Sequence, residues 1–268
     1  SNGSKRRKES IMKETTIREL VNVSLRKPVL IEGLPGLGLV GKIAVRYMIK
    51  LLKARKMAYL YSPHFPYFVI VNRKGTVRLL RGTFYYWKND KGDNDLMMFT
   101  GDSQAQTIEG QYEISNKILD FAEKHNVKTI ITIGGYRVET EEKPKVIAVA
   151  TNKELLEMAL KANATLNTSS IPIVGTAGLI LGLAPLRKID ALCLLGETRG
   201  YLPDPKAAKS ILEVLVKILG INLDLSGMDE EISRAERIIA RLKEIEERRA
   251  LQIEELKREE SKKVTYIA

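Results

Sequence analysis

Residues 28–41 read PVLIEGLPGLGLVG, a short apolar strand followed by a glycine-rich turn and the first residues of a helix. The helix is predicted over residues 39–52, because apolar side chains return there at helical spacing. The same succession of apolar strand, glycine and amphipathic helix repeats along the chain, which predicts an α/β fold. Continuous apolar strands are typical of a mostly parallel sheet that is covered by helices on both faces.

The remaining elements follow from the same two patterns. The further predicted strands cover residues 57–61, 67–71, 76–87, 96–100, 129–133, 146–150, 171–174 and 191–195, with 67–71 and 76–87 paired as a hairpin. Residues 101–103 are predicted to cap a helix that runs to about residue 125. Asn152 is predicted to cap a helix over 153–160, and a further helix is predicted over 205–219.

Glycines recur where the predicted strands end, at Gly33, Gly101, Gly134, Gly175 and Gly196. In an open α/β sheet that edge is where ligands bind. Glycines there also serve turns that need a positive φ, or a close approach of helix and strand. Both interpretations of this glycine-rich edge are open at this point.

Within the first turn, Gly36, Gly38 and Gly41 spell G-x-G-x-x-G, the fingerprint of a dinucleotide site. That fingerprint needs an acidic residue at the end of the next strand, where this sequence has Tyr-Ser-Pro-His at 61–64. We therefore predict that these three glycines, with Gly33, form a structural loop for tight turning and packing, and that no dinucleotide binds. A P-loop is excluded, because no Gly-Lys-Ser/Thr ending is present.

Net charge and the numbers of cysteines and histidines bear on whether the protein binds nucleic acid or metal ions. The 268 residues include 44 Lys and Arg against 33 Asp and Glu, a net charge of +11. The positive charge is concentrated at residues 5–8 and then at Lys42, Arg46, Lys50, Lys53, Arg55 and Lys56. A basic helix face invites a nucleic-acid hypothesis, but a solvated face is the simpler interpretation and no DNA- or RNA-binding motif accompanies it, so no nucleic-acid partner is expected. Cys193 is the single cysteine and only two histidines are present, which argues against a Cys/His metal site.

No membrane segment is predicted. The uncharged, largely apolar stretch over residues 170–186 is interrupted by two prolines and three glycines. No signal-peptide pattern is visible, and Met12 is a candidate native start. We expect a cytoplasmic protein.

The sequence contains no recognisable set of catalytic residues. There is no G-x-S-x-G elbow, and no nucleophile, base and phosphate clamp converge in the sequence. Glu139, Glu141 and Glu142 follow a predicted strand end and could supply a base, but a charged loop is the simpler interpretation. His64 stands among aromatic residues and is predicted to be packed. No catalytic, cofactor or metal site is expected, although an enzyme or ligand-binding protein that uses the glycine-rich edge stays as the alternative.

Residues 228–263 are dominated by charges of both signs and contain neither proline nor glycine, which predicts a long helix. Its apolar side chains recur at an imperfect heptad spacing, and a partner helix would cover them. The predicted oligomerisation stripe consists of Ile232, Ile239, Leu242, Ile253 and Leu256. A coiled-coil homo-oligomer is therefore expected.

Five motifs occur in a fixed order: GLPGLGLVG at 33–41, GDSQ at 101–104, ITIGGY at 131–136, GTAGLILGLAP at 175–185 and LLGETRGYLPDPKAA at 194–208. Together they resemble the proteasome assembly chaperone family, in its archaeal branch. The resemblance implies a three-layer α/β sandwich similar to nucleoside phosphorylases but without their active site. It also implies an ATP-independent chaperone or adaptor that binds α-subunits of the proteasome core particle, to assist assembly or gate opening.

Many members of that family insert a C-terminal tail, of the form hydrophobic-Tyr-any residue, into pockets of the α-ring. Here Tyr266, Ile267 and Ala268 end the sequence, with the tyrosine third from the end rather than second. The resemblance implies that these three residues form the proteasome-binding tail. The predicted organisation is a basic segment over 1–27, the chaperone-family domain over 28–227, the charged helix over 228–263 and a flexible tail over 264–268.

Overall fold

The computed structural model describes residues 13–139 and 142–264. Its strands are β1 (Thr16–Glu19), β2 (Val29–Glu32), β3 (Arg55–Tyr61), β4 (Val69–Val71), β5 (Val77–Leu79), β6 (Gly82–Trp87), β7 (Leu96–Gly101), β8 (Thr129–Arg137), β9 (Val146–Ala150), β10 (Thr165–Leu166) and β11 (Asp190–Thr198). Its α-helices are α1 (Val40–Leu52), α2 (Ile108–Lys124), α3 (Lys153–Lys161), α4 (Thr176–Leu183), α5 (Pro205–Leu219) and α6 (Met228–Val264). None of these helices is both long and apolar enough to cross a membrane.

Nine of the strands form one sheet in the order β1-β3-β6-β7-β2-β8-β11-β9-β10. The four central strands β7, β2, β8 and β11 run parallel, and their registers are continuous across the sheet. Antiparallel pairs join β6, β3 and β1 on one flank and β9 on the other. The predicted parallel centre is confirmed, and the flanks add the antiparallel strands that the apolar runs alone did not distinguish.

Helices cover both sides of this sheet. On one side α1 packs against α5, and on the other α2 packs against α4. Apolar side chains of β2 point alternately to the two sides, so Leu30 and Ile31 are both fully buried. The α/β class and the long C-terminal helix are thereby confirmed, whereas the likeness to nucleoside phosphorylases stays a prediction.

The chain divides into two compact units, with the boundary between Leu225 and Ser226. The second unit contains α6, a helix of 37 residues with Asp229, Glu230 and Glu231 in its first turn. Acidic residues there interact favourably with the helix dipole. Intrahelical ion pairs at i,i+4 spacing, Arg234 with Glu230 and Arg258 with Glu254, add to its stability. The four-part domain organisation given above stays a prediction.

Three local predictions are wrong, each for an identifiable reason. Residues 76–87 form two strands, because the chain leaves the hairpin after Leu79 and enters the main sheet at Gly82. The cap of α2 is Thr107, whose hydroxyl accepts a hydrogen bond from the amide of Gly110, whereas Asp102 is engaged elsewhere. Residues 171–174 are not a strand, since β11 already has β8 and β9 as its two neighbours.

Candidate functional site

The glycine loop, residues 33–41, connects β2 to α1 at the carboxyl edge of the parallel strands. A Cβ atom on Gly33 would lie 2.2 Å from the carbonyl oxygen of Gly41, and one on Gly41 would lie 2.5 Å from the carbonyl oxygen of Ile133. Gly38 has a φ of 59°, in the left-handed region that favours glycine. The two ends of the loop therefore pack backbone to backbone on each other, and Gly41 packs in the same way on β8.

On one side the glycine loop is held by the amide of Gln104, which follows β7. Its Nε2 donates to the carbonyl oxygen of Pro35 at 2.8 Å. Its Oε1 accepts from the backbone nitrogen of Thr176, at the start of α4, at 3.2 Å, and from Nε2 of Gln111 on α2 at 3.3 Å. The hydroxyl of Thr176 donates in turn to Oε1 of Gln111 at 3.1 Å. One side chain thus joins the glycine loop to two helices.

On the other side the loop is held by Asp204, the N-cap of α5. The backbone nitrogen of Asp204 donates to the carbonyl oxygen of Gly38 at 2.8 Å, and its carboxylate accepts from the hydroxyl of Thr198 at 2.6 Å. The same carboxylate caps the helix by accepting from the amide of Ala207 at 3.0 Å. Gln104 and Asp204 therefore both bond to the backbone of the glycine loop and to residues of neighbouring elements.

Glu32, the last residue of β2, is a fully buried carboxyl group beneath this edge. Its Oε1 accepts from the amide of Leu34 at 3.2 Å, and its Oε2 has no hydrogen-bond partner among the described residues. Burial raises the pKa of Glu32 to about 8, against the opposing effect of the Leu34 hydrogen bond. The group is consequently protonated in the folded protein at neutral pH.

The hairpin of β4 and β5 is tied to the body through its inner face. Arg78 donates two hydrogen bonds to the carboxylate of Asp102, at 2.6 and 2.9 Å, and the amide of Arg81 donates a third at 2.9 Å. Burial opposes ionisation of Asp102, but these bonds bring its pKa below the ordinary value.

The outer face of the hairpin consists of exposed apolar side chains: Val69, Val71, Val77 and Leu79. Exposed apolar patches of this kind mark contact surfaces in proteins.

His64 is packed, as predicted, but between polar partners. Its Nε2 lies 3.0 Å from the carboxylate of Glu113 on α2, and its Nδ1 lies 2.9 Å from the hydroxyl of Thr107. Glu113 also accepts from the amide of Thr15 at 2.6 Å, which ties the segment before β1 to α2. Both ring nitrogens are thus engaged in holding the fold together.

The other acidic candidates are placed apart. Glu139 lies near Arg137 and Tyr201 on the surface, and Glu142 interacts with another group of the chain. Glu141 lies outside the described residues. Over residues 13–139 and 142–264, no group of three or more His, Cys, Asp or Glu side chains could hold a metal ion.

The predicted oligomerisation stripe lies along one side of α6. Ile232 and Ile239 are half-buried, and Leu242, Ile253 and Leu256 are exposed. Ile238 and Ile245, at compatible helical spacing, are also about half exposed and extend the stripe. The tail residues Tyr266, Ile267 and Ala268 lie outside the described residues.

The family follows from comparison with known proteins. The model of the PAC2 family matches residues 30–243, most of the chain. The chain belongs to the PAC2 family. The identification from the five sequence motifs is thereby confirmed, since the solved structures similar to this PAC2-family chain include archaeal relatives of proteasome assembly chaperones.

Three PAC2-family comparisons are informative. The crystal structure of Pyrococcus furiosus PbaB, an archaeal proteasome activator, is 40% identical with a TM-score of 0.83, covering 87% of this chain and 100% of that one. Pyrococcus furiosus PbaA, an archaeal homolog of proteasome-assembly chaperone, is 26% identical with a TM-score of 0.71, covering 89% and 96%. An uncharacterized protein of Methanocaldococcus jannaschii is 34% identical over 224 residues, covering 83% of this chain and 86% of that one.

Sequence reasoning missed the bridging role of Gln104 and the ion pair between Arg78 and Asp102. Gln104 belongs to the GDSQ motif, but sequence spacing does not indicate which groups an amide side chain will bond to. Arg78 and Asp102 are 24 positions apart in the sequence. Arg78 lies in β5, and the sequence pattern did not predict that β5 ends before β6 begins. Both contacts depend on tertiary placement.

Proposed function

We propose that this chain is an activator or assembly chaperone of the proteasome core particle and that it acts on the α-subunits without nucleotide hydrolysis. The observation that carries the proposal is the match to the solved chain of PbaB, an archaeal proteasome activator, which is covered completely at 40% identity. The similarity to PbaA, a homolog of proteasome-assembly chaperone, supports the same partner.

The glycine-rich edge supports a non-catalytic role. In α/β enzymes the carboxyl ends of the strands are open to ligand and present polar groups to it. Here the side-chain amide of Gln104 donates to the carbonyl oxygen of Pro35, and the backbone nitrogen of Asp204 donates to the carbonyl oxygen of Gly38, each at 2.8 Å. The carboxylate of Asp204 accepts from the hydroxyl of Thr198 and the amide of Ala207. The residues that a ligand would use at that loop are thereby occupied by the protein.

We propose that α6 mediates self-association and carries the C-terminal tail towards the proteasome ring. Its exposed apolar stripe is suited to a partner helix from a second copy of the chain. Several copies would then present several tails to one ring, and weak individual contacts would combine through effective concentration.

The proposal is tested by mixing the purified full chain with an archaeal proteasome core particle and with isolated α-subunits. We expect co-elution with the core particle on gel filtration, binding to α-subunits in a pull-down, and a changed rate of hydrolysis of a fluorogenic peptide. Failure to bind either form, at concentrations where PbaB binds, would contradict the proposed function.

A further inference from the structure

Basic side chains from different elements lie near one another around the carboxyl end of β7: Lys42 is within electrostatic range of Asp102, Arg46 and Arg78, and Tyr85 is within range of Arg46, Arg78 and Arg81. Lys42 and Arg46 lie one turn apart on α1, which follows β2 through the glycine loop. Arg78 comes from β5, and Arg81 lies directly before β6. We call these four residues the cationic cluster. Asp102, directly after β7, is the carboxylate at its centre, with its bonds to Arg78 and to the amide of Arg81.

The charges in this cluster do not balance. The bidentate pair with Asp102 neutralises Arg78, which leaves the side chains of Lys42, Arg46 and Arg81. Within the part of the chain that the structure describes, no carboxylate lies within ion-pair distance of Lys42 or Arg46. Lys42 and Arg46 also repel each other across one helical turn, which is unfavourable without an anion.

The pKa of Lys42 reflects both its burial and its charged neighbours. Its ammonium group is half-buried, and this burial lowers its pKa below the ordinary value. The charge of Asp102 opposes that effect, whereas the positive charges of Arg46 and Arg78 add to it. A partly dehydrated ammonium among like charges is stabilised when an anion joins it.

Neighbouring tyrosines hold the cluster in place. The guanidinium of Arg81 lies 3.7 Å from the centre of the Tyr59 ring, and Tyr59 meets Tyr61 edge to face at 6.2 Å. Stacking fixes the plane of a guanidinium while leaving its N–H groups free to donate at its edge. Arg81 is therefore positioned before any ligand arrives, which lowers the entropic cost of binding.

We propose that the cationic cluster is a binding site for a small phosphate-bearing molecule, whose negative charges are shared among Lys42, Arg46 and Arg81. The carboxyl edge of parallel strands is the usual ligand position in α/β folds. Guanidinium groups match the geometry of phosphate oxygens, and an ammonium adds a point charge. This site begins at Lys42, directly after the hydrogen-bonded glycine loop, and goes beyond the proposed function, since it needs no proteasome.

The test uses the full chain, inorganic pyrophosphate as the probe, and titration calorimetry at low salt. We expect saturable binding, and an affinity at least tenfold weaker in Lys42→Met. Lys50→Met is the matched control, because Lys50 is an exposed lysine on the same helix and loses the same charge. Its affinity should change less than twofold. Lys42→Met should be at least as resistant to thermal unfolding as the parent without ligand, since it removes an uncompensated charge.

Two results would overturn the proposal: no saturable heat with pyrophosphate, or equal weakening in Lys42→Met and Lys50→Met, which would indicate general attraction to a basic protein. A single-stranded oligonucleotide that binds more tightly than pyrophosphate, and loses affinity in Lys42→Met, would assign the cluster to a nucleic-acid backbone instead. An octaglutamate peptide that binds where pyrophosphate does not would assign it to an acidic protein surface. Either assignment overturns the small-molecule site.

Discussion

Gly33 and Gly41 touch backbone to backbone, since a Cβ atom added to Gly33 would lie 2.2 Å from the carbonyl oxygen of Gly41. The contact joins the end of β2 to the start of α1, and the Val45 side chain closes it at 2.7 Å from the same position. The spacing G-x-G-x-x-G is therefore compatible with a purely structural use.

The first prediction concerns this contact. Gly33→Ala should lower the free energy of unfolding by about 1–3 kcal/mol or more, because the backbone of Gly41 cannot move aside as a flexible side chain would. Gly182→Ala is the control, since Gly182 lies in α4 with nothing within 4 Å of its added Cβ atom. There alanine should stabilise by about 0.5–1 kcal/mol. Urea unfolding followed by circular dichroism measures both, and equal stability of the two variants would contradict the packing argument.

The second prediction is a pH dependence caused by Glu32. Its pKa is raised from 4.5 to about 8, so folding takes up a proton between those values. Its contribution to the free energy of unfolding is complete below about pH 4.5 and is lost as the pH rises through 8. The loss is on the order of 4–5 kcal/mol at 1.36 kcal/mol per pKa unit.

Glu32→Gln isolates that effect. The glutamine keeps an oxygen for the amide of Leu34 but cannot ionise, so the variant should gain stability relative to the parent as the pH rises from 5 to 8. Glu157→Gln, at an exposed position on α3, should follow the parent at every pH. Urea titrations at pH 5, 6.5 and 8 provide the comparison. Parallel curves for parent and Glu32→Gln would show that Glu32 ionises normally in the folded state.

The glycine loop and α5 show what local sequence can predict. A continuous apolar strand, a turn glycine and an amphipathic helix are local patterns, and α5 begins and ends where its pattern predicts, at Pro205 and Leu219. The segment 171–174 carries the same apolar pattern but forms no strand, and its Ile171 and Ile173 pack against the buried cluster of Ile147, Cys193 and Leu195. Whether an apolar run becomes a strand depends on a free sheet neighbour, which is a property of the whole fold.

The candidate sites divide in the same way. The apolar stripe of α6 follows from helical period, so Leu242 and Leu256 could be named from the sequence. The cationic cluster could not, because Lys42 and Arg78 belong to different elements that only the fold brings together. The hydrogen bonds of Gln104 have the same origin, since they reach residues as far along the chain as Thr176.

The third prediction places self-association on the stripe of α6. Leu242→Glu should reduce the molar mass measured by light scattering, because burying a leucine in a helix pair is worth about 1.5–3 kcal/mol per copy. Leu251→Glu is the control. Leu251 lies nine residues further on, half a turn around the helix from Leu242, and is also exposed. It should leave the mass unchanged. An unchanged mass for Leu242→Glu as well would indicate that any assembly uses the body of the chain.

The last prediction concerns the tail and rests on the proposed function. The helix α6 has 37 residues, so at 1.5 Å per residue it is about 55 Å long, and Tyr266 and Ile267 follow its end. An aromatic and an aliphatic side chain after such a helix are suited to insertion into pockets of a ring. Deleting Tyr266, Ile267 and Ala268 should weaken binding to the proteasome core particle at least tenfold, about 1.4 kcal/mol.

Tyr67→Ala is the matched control for that deletion, because Tyr67 is a fully exposed tyrosine in the α/β unit. It should bind the core particle as the parent does, and light scattering should show that neither change alters the molar mass. If the deletion binds as tightly as the full chain while Leu242→Glu binds more weakly, the contact lies on α6 or depends on assembly through it. If the deletion alone weakens binding, Tyr266 acts as an anchor despite its position third from the end, because the ring pocket then accepts an aromatic side chain followed by two residues.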